Sequence, residues 1–266
     1  MNNLVINAVH HDLVINAINN KTLTASNLDF KLLRRLAGID SNRKSELDWG
    51  RATILRQDLL NQYLYSYGLM VQRQWEFIIP ETLEMLNTNN GGKVHIFDYG
   101  CGQGLASLLT LQYITGLLDK TEKITLIEPS KIALDRAKAI LECKVPHAEV
   151  YVINKELDEL KNNEIIIDKD KMNLHLFSNV LDINTFDYLE VFKKSLEYKG
   201  THYFIAVSPD RNFQGGSPRL ESLFNTLEKQ QAEFAKHLKI SHAEMNHFTD
   251  TNNMNHIYFY LKIEVN

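Results

Sequence analysis

Between residues 94 and 104 the sequence reads Val94-His95-Ile96-Phe97-Asp98-Tyr99-Gly100-Cys101-Gly102-Gln103-Gly104, an apolar run that ends in an acid and breaks into alternating glycines. Glycines at 100, 102 and 104 let the backbone turn sharply and approach a bound group without side-chain obstruction. A helix opening directly behind such a turn presents unpaired N–H groups and a positive dipole. The chemistry implied is a cradle for a nucleotide-type cofactor. A second acid closes a second apolar run, Lys123-Ile124-Thr125-Leu126-Ile127-Glu128-Pro129-Ser130. A carboxylate there accepts hydrogen bonds from both hydroxyls of a ribose, so Glu128, with Pro129 beside it, points to an adenosine group.

The glycine spacing discriminates between cofactors. A dinucleotide fingerprint needs its third glycine where Leu105 stands, so that pattern fails. Asp98-x-Gly100-x-Gly102-x-Gly104 instead resembles the first motif of the class I S-adenosylmethionine-dependent methyltransferases. The resemblance covers residues 90 to 266, with specific motifs only in 94 to 130. It implies S-adenosyl-L-methionine as cofactor, its methionyl part held by Asp98, Gly100, Cys101, Gly102 and Gly104. Glu128 then holds the ribose, and Asn154 and its neighbours the adenine amino group, although an ordinary loop asparagine is an equal reading of Asn154. Cys101 lies near a helix N-terminus, which lowers a thiol pKa. Small residues are common at that place in the family, so a packing role is the plainer reading.

In an open parallel sheet a ligand lies beyond the C-terminal ends of the strands, which makes Ser178, Asn179 and Ser208 further candidates. Ser178 goes with the cofactor side. The run Leu174-His175-Leu176-Phe177-Ser178-Asn179-Val180-Leu181-Asp182 lacks the Asn/Asp-Pro-Pro-Tyr/Phe sequence that amino methyltransferases acting on adenine, cytosine or glutamine amides carry here. Asn179 and Asp182 are therefore candidates for orienting a methyl acceptor or taking its proton, since methyl transfer needs an aligned nucleophile more than a strong base. Asp182 reads equally as part of a helix N-cap. Tyr63 and Tyr67, at i, i+4 spacing, form either a lid over the reacting centre or an aromatic stripe packed on the sheet. The polar loop from Ser208 to Arg219 is either part of an acceptor pocket or a connector. The ten histidines contain no zinc-ligand spacing, and the two cysteines, Cys101 and Cys143, make neither a disulfide framework nor a metal knuckle, so no metal is expected.

Composition bounds the partners. With 44% hydrophobic and 23% charged residues, the chain is an ordinary globular sequence. A net charge of −4 gives no broad footprint for a polyanion. The grouping Arg34, Arg35, Arg43 and Lys44 has acids close by and reads as a solvated helix face rather than a nucleic-acid patch. A small-molecule or protein acceptor is expected, duplex DNA is not, RNA is not favoured, and oligomeric state is open. The sequence shows no cationic leader and no apolar run of membrane length, so no membrane association and a cytoplasmic location are expected.

The elements that must position these residues follow from periodicity. Residues 1 to 90 read as a mainly helical N-terminal cap, ended by the polar run Asn87 to Gly92, and residues 91 to 266 as the cofactor-binding core. The pentapeptide Leu-Val-Ile-Asn-Ala at 4–8 recurs at 13–17 and has no functional reading. Strands are expected at 94–98, 123–128, 148–153, 172–177, 201–207, 239–247 and 256–264, and helices at 104–118, 130–142, 186–198 and 217–237. Their alternation predicts an α/β, Rossmann-like, doubly wound, seven-stranded, mostly parallel sheet, closed by an antiparallel pair. Two alternatives in function stay open: a non-catalytic, methyltransferase-like binding or assembly protein, and another adenosylmethionine- or nucleoside-using transferase such as an aminopropyl transferase.

Overall fold

The computed structural model describes residues 12–37, 41–86, 92–211 and 216–266. Seven strands form one sheet: β1 (Val94–Tyr99), β2 (Thr121–Ile127), β3 (Glu149–Ile153), β4 (Met172–Ser178), β5 (Gly200–Pro209), β6 (Lys239–Thr249) and β7 (Asn255–Val265), in the order β3-β2-β1-β4-β5-β7-β6. The first five run parallel, and β7 is antiparallel to both β5 and β6. The order reverses between β1 and β4, which is where an open α/β sheet leaves a crevice for a ligand. All six residues of β1 are buried, as a central parallel strand covered on both faces must be. The edge strand β3 is largely exposed.

Alternation along the strands separates two cores. Val94 and Ile96 of β1, with Leu174 and Leu176 of β4, pack beneath α3 (Gln57–Leu86), α4 (Leu105–Tyr113) and α6 (Lys131–Lys144). Phe97, Tyr99, Phe177 and Phe204 face the other way, toward α7 (Tyr188–Ser195) and α8 (Gly216–Glu228). That second face carries a hydrogen-bonded file across three strands. Tyr99 Oη lies 3.0 Å from His175 Nδ1, His175 Nε2 lies 3.1 Å from His202 Nδ1, and His202 Nε2 lies 3.2 Å from the Tyr198 carbonyl. A carbonyl only accepts, so His202 carries its proton on Nε2, His175 donates to it, and Tyr99 donates to His175. Burial keeps both imidazoles uncharged: His202 is pushed down to about 4, and His175 falls well below its ordinary value.

The N-terminal helices α1 (Leu13–Asn19), α2 (Phe30–Ala37) and α3 share the first core, since Val14, Leu33 and Trp75 join the same cluster as Ile96 and Leu126, while Leu60 and Tyr67 of α3 form a small separate cluster with Leu47, Ile54 and Ala133. The second pentapeptide copy lies in α1; the first, and residues 87–91 of the segment expected to bound the cap, lie outside the described residues. Arg136 of α6, fully buried, ties these parts together. It donates 2.7 Å bonds to Asp12 Oδ2 before α1, to Gln103 Oε1 in the glycine turn and to Asn61 Oδ1 of α3.

Several boundaries differ from the periodicity. The helix expected over 104–118 stops at Tyr113. Gly116, at φ +75°, opens the single turn α5 (Leu117–Lys120), and β2 starts at Thr121. The expected 186–198 helix is trimmed to Tyr188–Ser195. The expected 217–237 helix ends at Glu228, before a 3-10 turn at Phe234–His237.

Candidate active site

A cavity of about 500 Å³ lies beyond the C-terminal ends of β1, β2 and β4. Its walls come from the glycine turn, Glu128 and Pro129 after β2, Glu156 to Asp158 after β3, and Ser178 to Val180 with Ile183 to Phe186 after β4. Across from them stand Tyr63, Asp48 and residues 50–54 of the N-terminal region.

The three turn glycines serve different needs. All have positive φ, +62°, +51° and +76° at Gly100, Gly102 and Gly104. A Cβ at Gly102 would meet no atom within 4 Å, so it would project into open cavity. A Cβ at Gly100 would lie 2.8 Å from Val180 Cγ2 and one at Gly104 3.2 Å from Ala137 Cβ. Gly100 thus lets the β1 and β4 ends approach, and Gly104, which does not line the cavity, lets α4 pack on α6. Cys101, expected among the cofactor contacts, turns into the first core instead. Burial and the nearby Asp98 and Glu128 carboxylates push its thiol well up, against the expected effect of the helix N-terminus.

Asp98, expected to hold the methionyl part, is completely buried behind the turn and does not line the cavity. Its Oδ2 accepts from Ser107 N at 3.2 Å and from Ser107 Oγ at 2.7 Å, whereas Oδ1 has no partner. Desolvation pushes the carboxyl up to about 7, against the two Ser107 bonds. Glu128 lines the cavity, with Oε2 accepting from Gly102 N at 3.0 Å and Oε1 from Ser130 N at 2.9 Å. A carboxylate has about four lone-pair sites, so each oxygen keeps one for a ligand. Burial pushes Glu128 up to about 6.

Asn154 is a correction. Its Nδ2 donates to the carbonyls of Glu128 and Pro129 at 2.9 and 2.8 Å, clamping the β3 end to the β2 loop, and it does not line the cavity. Glu156, Leu157 and Asp158 take the wall position instead. They stand beyond the first residue after the strand, where no motif marks them.

After β4, Ser178 and Asn179 line the cavity, but the amide of Asn179 is taken. Its Nδ2 donates to Gln74 Oε1 and its Oδ1 accepts from Gln74 Nε2, both at 2.9 Å. Asn179 sits at φ +57°, a conformation asparagine tolerates better than most residues. Asp182 does not line the cavity and accepts from Ser208 Oγ at 3.1 Å; burial raises its carboxyl. Nor does it cap a helix: the N-cap of α7 is Asp187, whose side chain accepts from Leu189 N and Glu190 N.

Of the tyrosine pair, Tyr63 lines the cavity and Tyr67 stands behind it, ring centroids 5.3 Å apart. Burial and the fields of Glu128 and Asp182 raise the Tyr63 phenol, so it is a neutral hydrogen-bond donor. Trp75 on the same helix is buried, its Nε1 donating to Ser178 Oγ at 3.0 Å. The basic grouping is largely spent locally: Arg34 stacks on Tyr65, Arg43 pairs with Glu46 and Asp58, and Lys44 lies over Tyr67. The polar loop after β5 is bracketed by Arg211 N donating to Ser217 Oγ at 2.7 Å, while residues 212–215 lie outside the described residues. Among the described residues there is no cluster of metal-ligating side chains, and no helix is long and apolar enough to cross a membrane.

No protein-family model matches the chain, and no curated protein matches it in sequence. Solved structures resemble it. The plantazolicin methyltransferase BpumL, solved with a triazolic desmethylPZN analogue and SAH, aligns over 88% of this chain and 96% of its own, with 12% identity and a TM-score of 0.50. A SAM-dependent methyltransferase from Leishmania major aligns over 82% of this chain and 81% of its own, with 14% identity and a TM-score of 0.46. An rRNA methylase from Streptococcus thermophilus covers 71% of this chain and 97% of its own, with 13% identity and a TM-score of 0.45. With its strand order and its glycine turn between β1 and α4, the chain has the fold of the class I S-adenosylmethionine-dependent methyltransferases.

Proposed function

We propose that the protein is an S-adenosylmethionine-dependent methyltransferase acting on a small molecule or a protein side chain. The observation that carries this reading is Glu128 in the cavity wall, a carboxylate with a lone pair left on each oxygen, beside a turn whose Gly102 leaves open space where a Cβ would stand. The free lone pairs of Glu128 fit two ribose hydroxyls, and Glu156, Leu157 and Asp158 flank the base. When bound, adenosylmethionine supplies a methyl group made electrophilic by its sulfonium.

The chain's own work is alignment and exclusion of water. Tyr63, Asp48 and residues 50–54 close the cavity from the N-terminal side, and the Tyr63 hydroxyl, held neutral, is available as a hydrogen-bond donor. Because Asp182 stands off the cavity and the Asn179 amide is paired to Gln74, neither is assigned as a base. The net charge of −4 supports an acceptor other than a polyanion, whose binding requires a dense basic face.

The test is transfer of a radiolabelled methyl group into a cell extract separated into small molecules, protein and nucleic acid, with wild type beside Gly102→Val. Label in the first two fractions, lost in the variant, is expected. Label confined to DNA or RNA would overturn the acceptor class, and no transfer at all would favour a binding protein.

A further inference from the structure

A file of buried polar groups runs from the β6–β7 turn to the cavity wall. Asp250 Oδ2 lies 3.4 Å from His256 Nε2, an ion-pair distance rather than a well-formed hydrogen bond, and neither atom has another hydrogen-bond partner. His256 Nδ1 lies 3.1 Å from Gln74 Nε2. Gln74 pairs reciprocally with Asn179, whose Nδ2 also reaches Ser178 Oγ at 3.1 Å. Gln74 and His256 are both fully buried.

The file has a direction. A carboxylate accepts, so Asp250 places the imidazole proton on Nε2 and leaves Nδ1 a lone pair. Gln74 must then turn its NH₂ toward His256, which aims the second N–H at Asn179 Oδ1 and the Gln74 carbonyl at Asn179 Nδ2. The other Nδ2 hydrogen falls on Ser178 Oγ, which also accepts from Trp75 Nε1. With both hydroxyl lone pairs filled, Ser178 has only its proton to offer, and no described residue accepts it. Reversing His256 would reverse each amide in turn. The charged groups around the imidazole include Asp250, Asp210, Arg73 and Arg211; burial and the two arginines oppose its protonation and Asp250 favours it, with the net effect lowering its pKa.

We propose that Asp250, His256 and Gln74 are positioning residues that, through Asn179, fix Ser178 as a donor-only hydroxyl in the cavity wall, where it recognises a carboxylate on the ligand seated beside Gly100. Ser178 follows Phe177, which is in register with Tyr99, so its hydroxyl flanks the glycine turn across the β1–β4 crevice. A ligand carboxylate seated there meets a donor. This inference rests on the reading of the cavity as a site for adenosylmethionine.

Two measurements test it. ¹⁵N NMR of histidine-labelled protein reads the His256 tautomer without any ligand or variant. The proton is expected on Nε2; a proton on Nδ1 would overturn the relay even if the proposed function stands. Gln74→Glu keeps the shape but cannot donate, so it should move the His256 proton to Nδ1 and weaken adenosylhomocysteine on the order of tenfold. A wild-type tautomer together with wild-type affinity in that variant would contradict the relay, because a space-filling role predicts no change. In calorimetry, Ser178→Ala should weaken adenosylhomocysteine by a similar factor and leave methylthioadenosine, which lacks the carboxylate, unchanged. Equal loss for both ligands, or loss for neither, would overturn the assignment. Wild type that binds neither ligand contradicts the proposed function instead.

Discussion

On the glycine-turn side of the cavity, Asp98 keeps a buried oxygen without a partner and Glu128 gives each oxygen only one protein donor; on the β4 side, both polar atoms of the Asn179 amide are paired with Gln74. The first arrangement is unfavourable in the free protein, since a buried carboxylate loses its hydration without full compensation. The second is closed, and such satisfied networks rigidify their surroundings. The difference teaches where binding free energy and folding free energy reside. Substitutions on the turn side should change ligand affinity more than stability, and substitutions of the Asn179 amide the reverse.

The largest effect should come from Gly102→Val. The branched side chain projects into the cavity and takes a positive φ, so adenosylhomocysteine affinity should fall more than a hundredfold while the fold survives a strain of about 1–3 kcal/mol. Titration calorimetry and circular dichroism read the two halves separately. Glu128→Ala should cost on the order of 1.5–3 kcal/mol of binding per charge-assisted bond to the ribose. It should lower stability by only about 1 kcal/mol through the freed Gly102 and Ser130 amides. A thermal-shift series that found the reverse ordering would break the comparison.

Acidity sharpens it. Asp98 has a folded pKa of about 7, above its unfolded value, so the folded state binds the extra proton and this group's contribution to stability is lost as pH rises from 4 through 7. His202, at about 4, and His95, at about 3, have folded values below the unfolded one, so their contribution is full above 6.5 and is lost as pH falls toward those values. Asp98→Asn should therefore stabilise the protein at pH 8, on the order of 2 kcal/mol, with little change at pH 5. Urea denaturation at the two pH values checks this.

The smallest effect separates strain from pairing. Asn179→Ala leaves Gln74 without its amide partner at a position that remains at positive φ, for a loss of about 2–3 kcal/mol. Asn179→Gly loses the same pairing but tolerates the backbone, and should be less destabilised by about 1 kcal/mol. Equal stability of the two variants would show that the backbone at 179 is unstrained.

The two sides also differ in how far they are written in the sequence. Asp98, the glycines and Glu128 are local: a strand, its terminal acid and the turn behind it are contiguous, so spacing alone reveals them, along with the seven strands and their direction. Asn179 was legible as a polar residue after a strand, but not that Gln74 and His256 hold it, because those contacts join residues far apart in the chain. For Asn154 the sequence leaves two readings open, and the structure favours the loop asparagine: the β2 loop lies close enough to take its amide, and Glu156 and Asp158 line the wall. Asp182 and Asp187 are both acids before a helix, and only the actual start of α7 chooses between them. Asp48 and residues 50–54 carry no apolar period, so their place opposite the glycine turn had no signal at all.

The central claim is that the turn side is built for adenosylmethionine rather than a dinucleotide. Titration calorimetry of the wild-type chain with adenosylhomocysteine and with NAD tests it most directly. One-site, micromolar-range binding of adenosylhomocysteine and no heat with NAD are expected. Binding of NAD, or saturation by neither ligand, would contradict it.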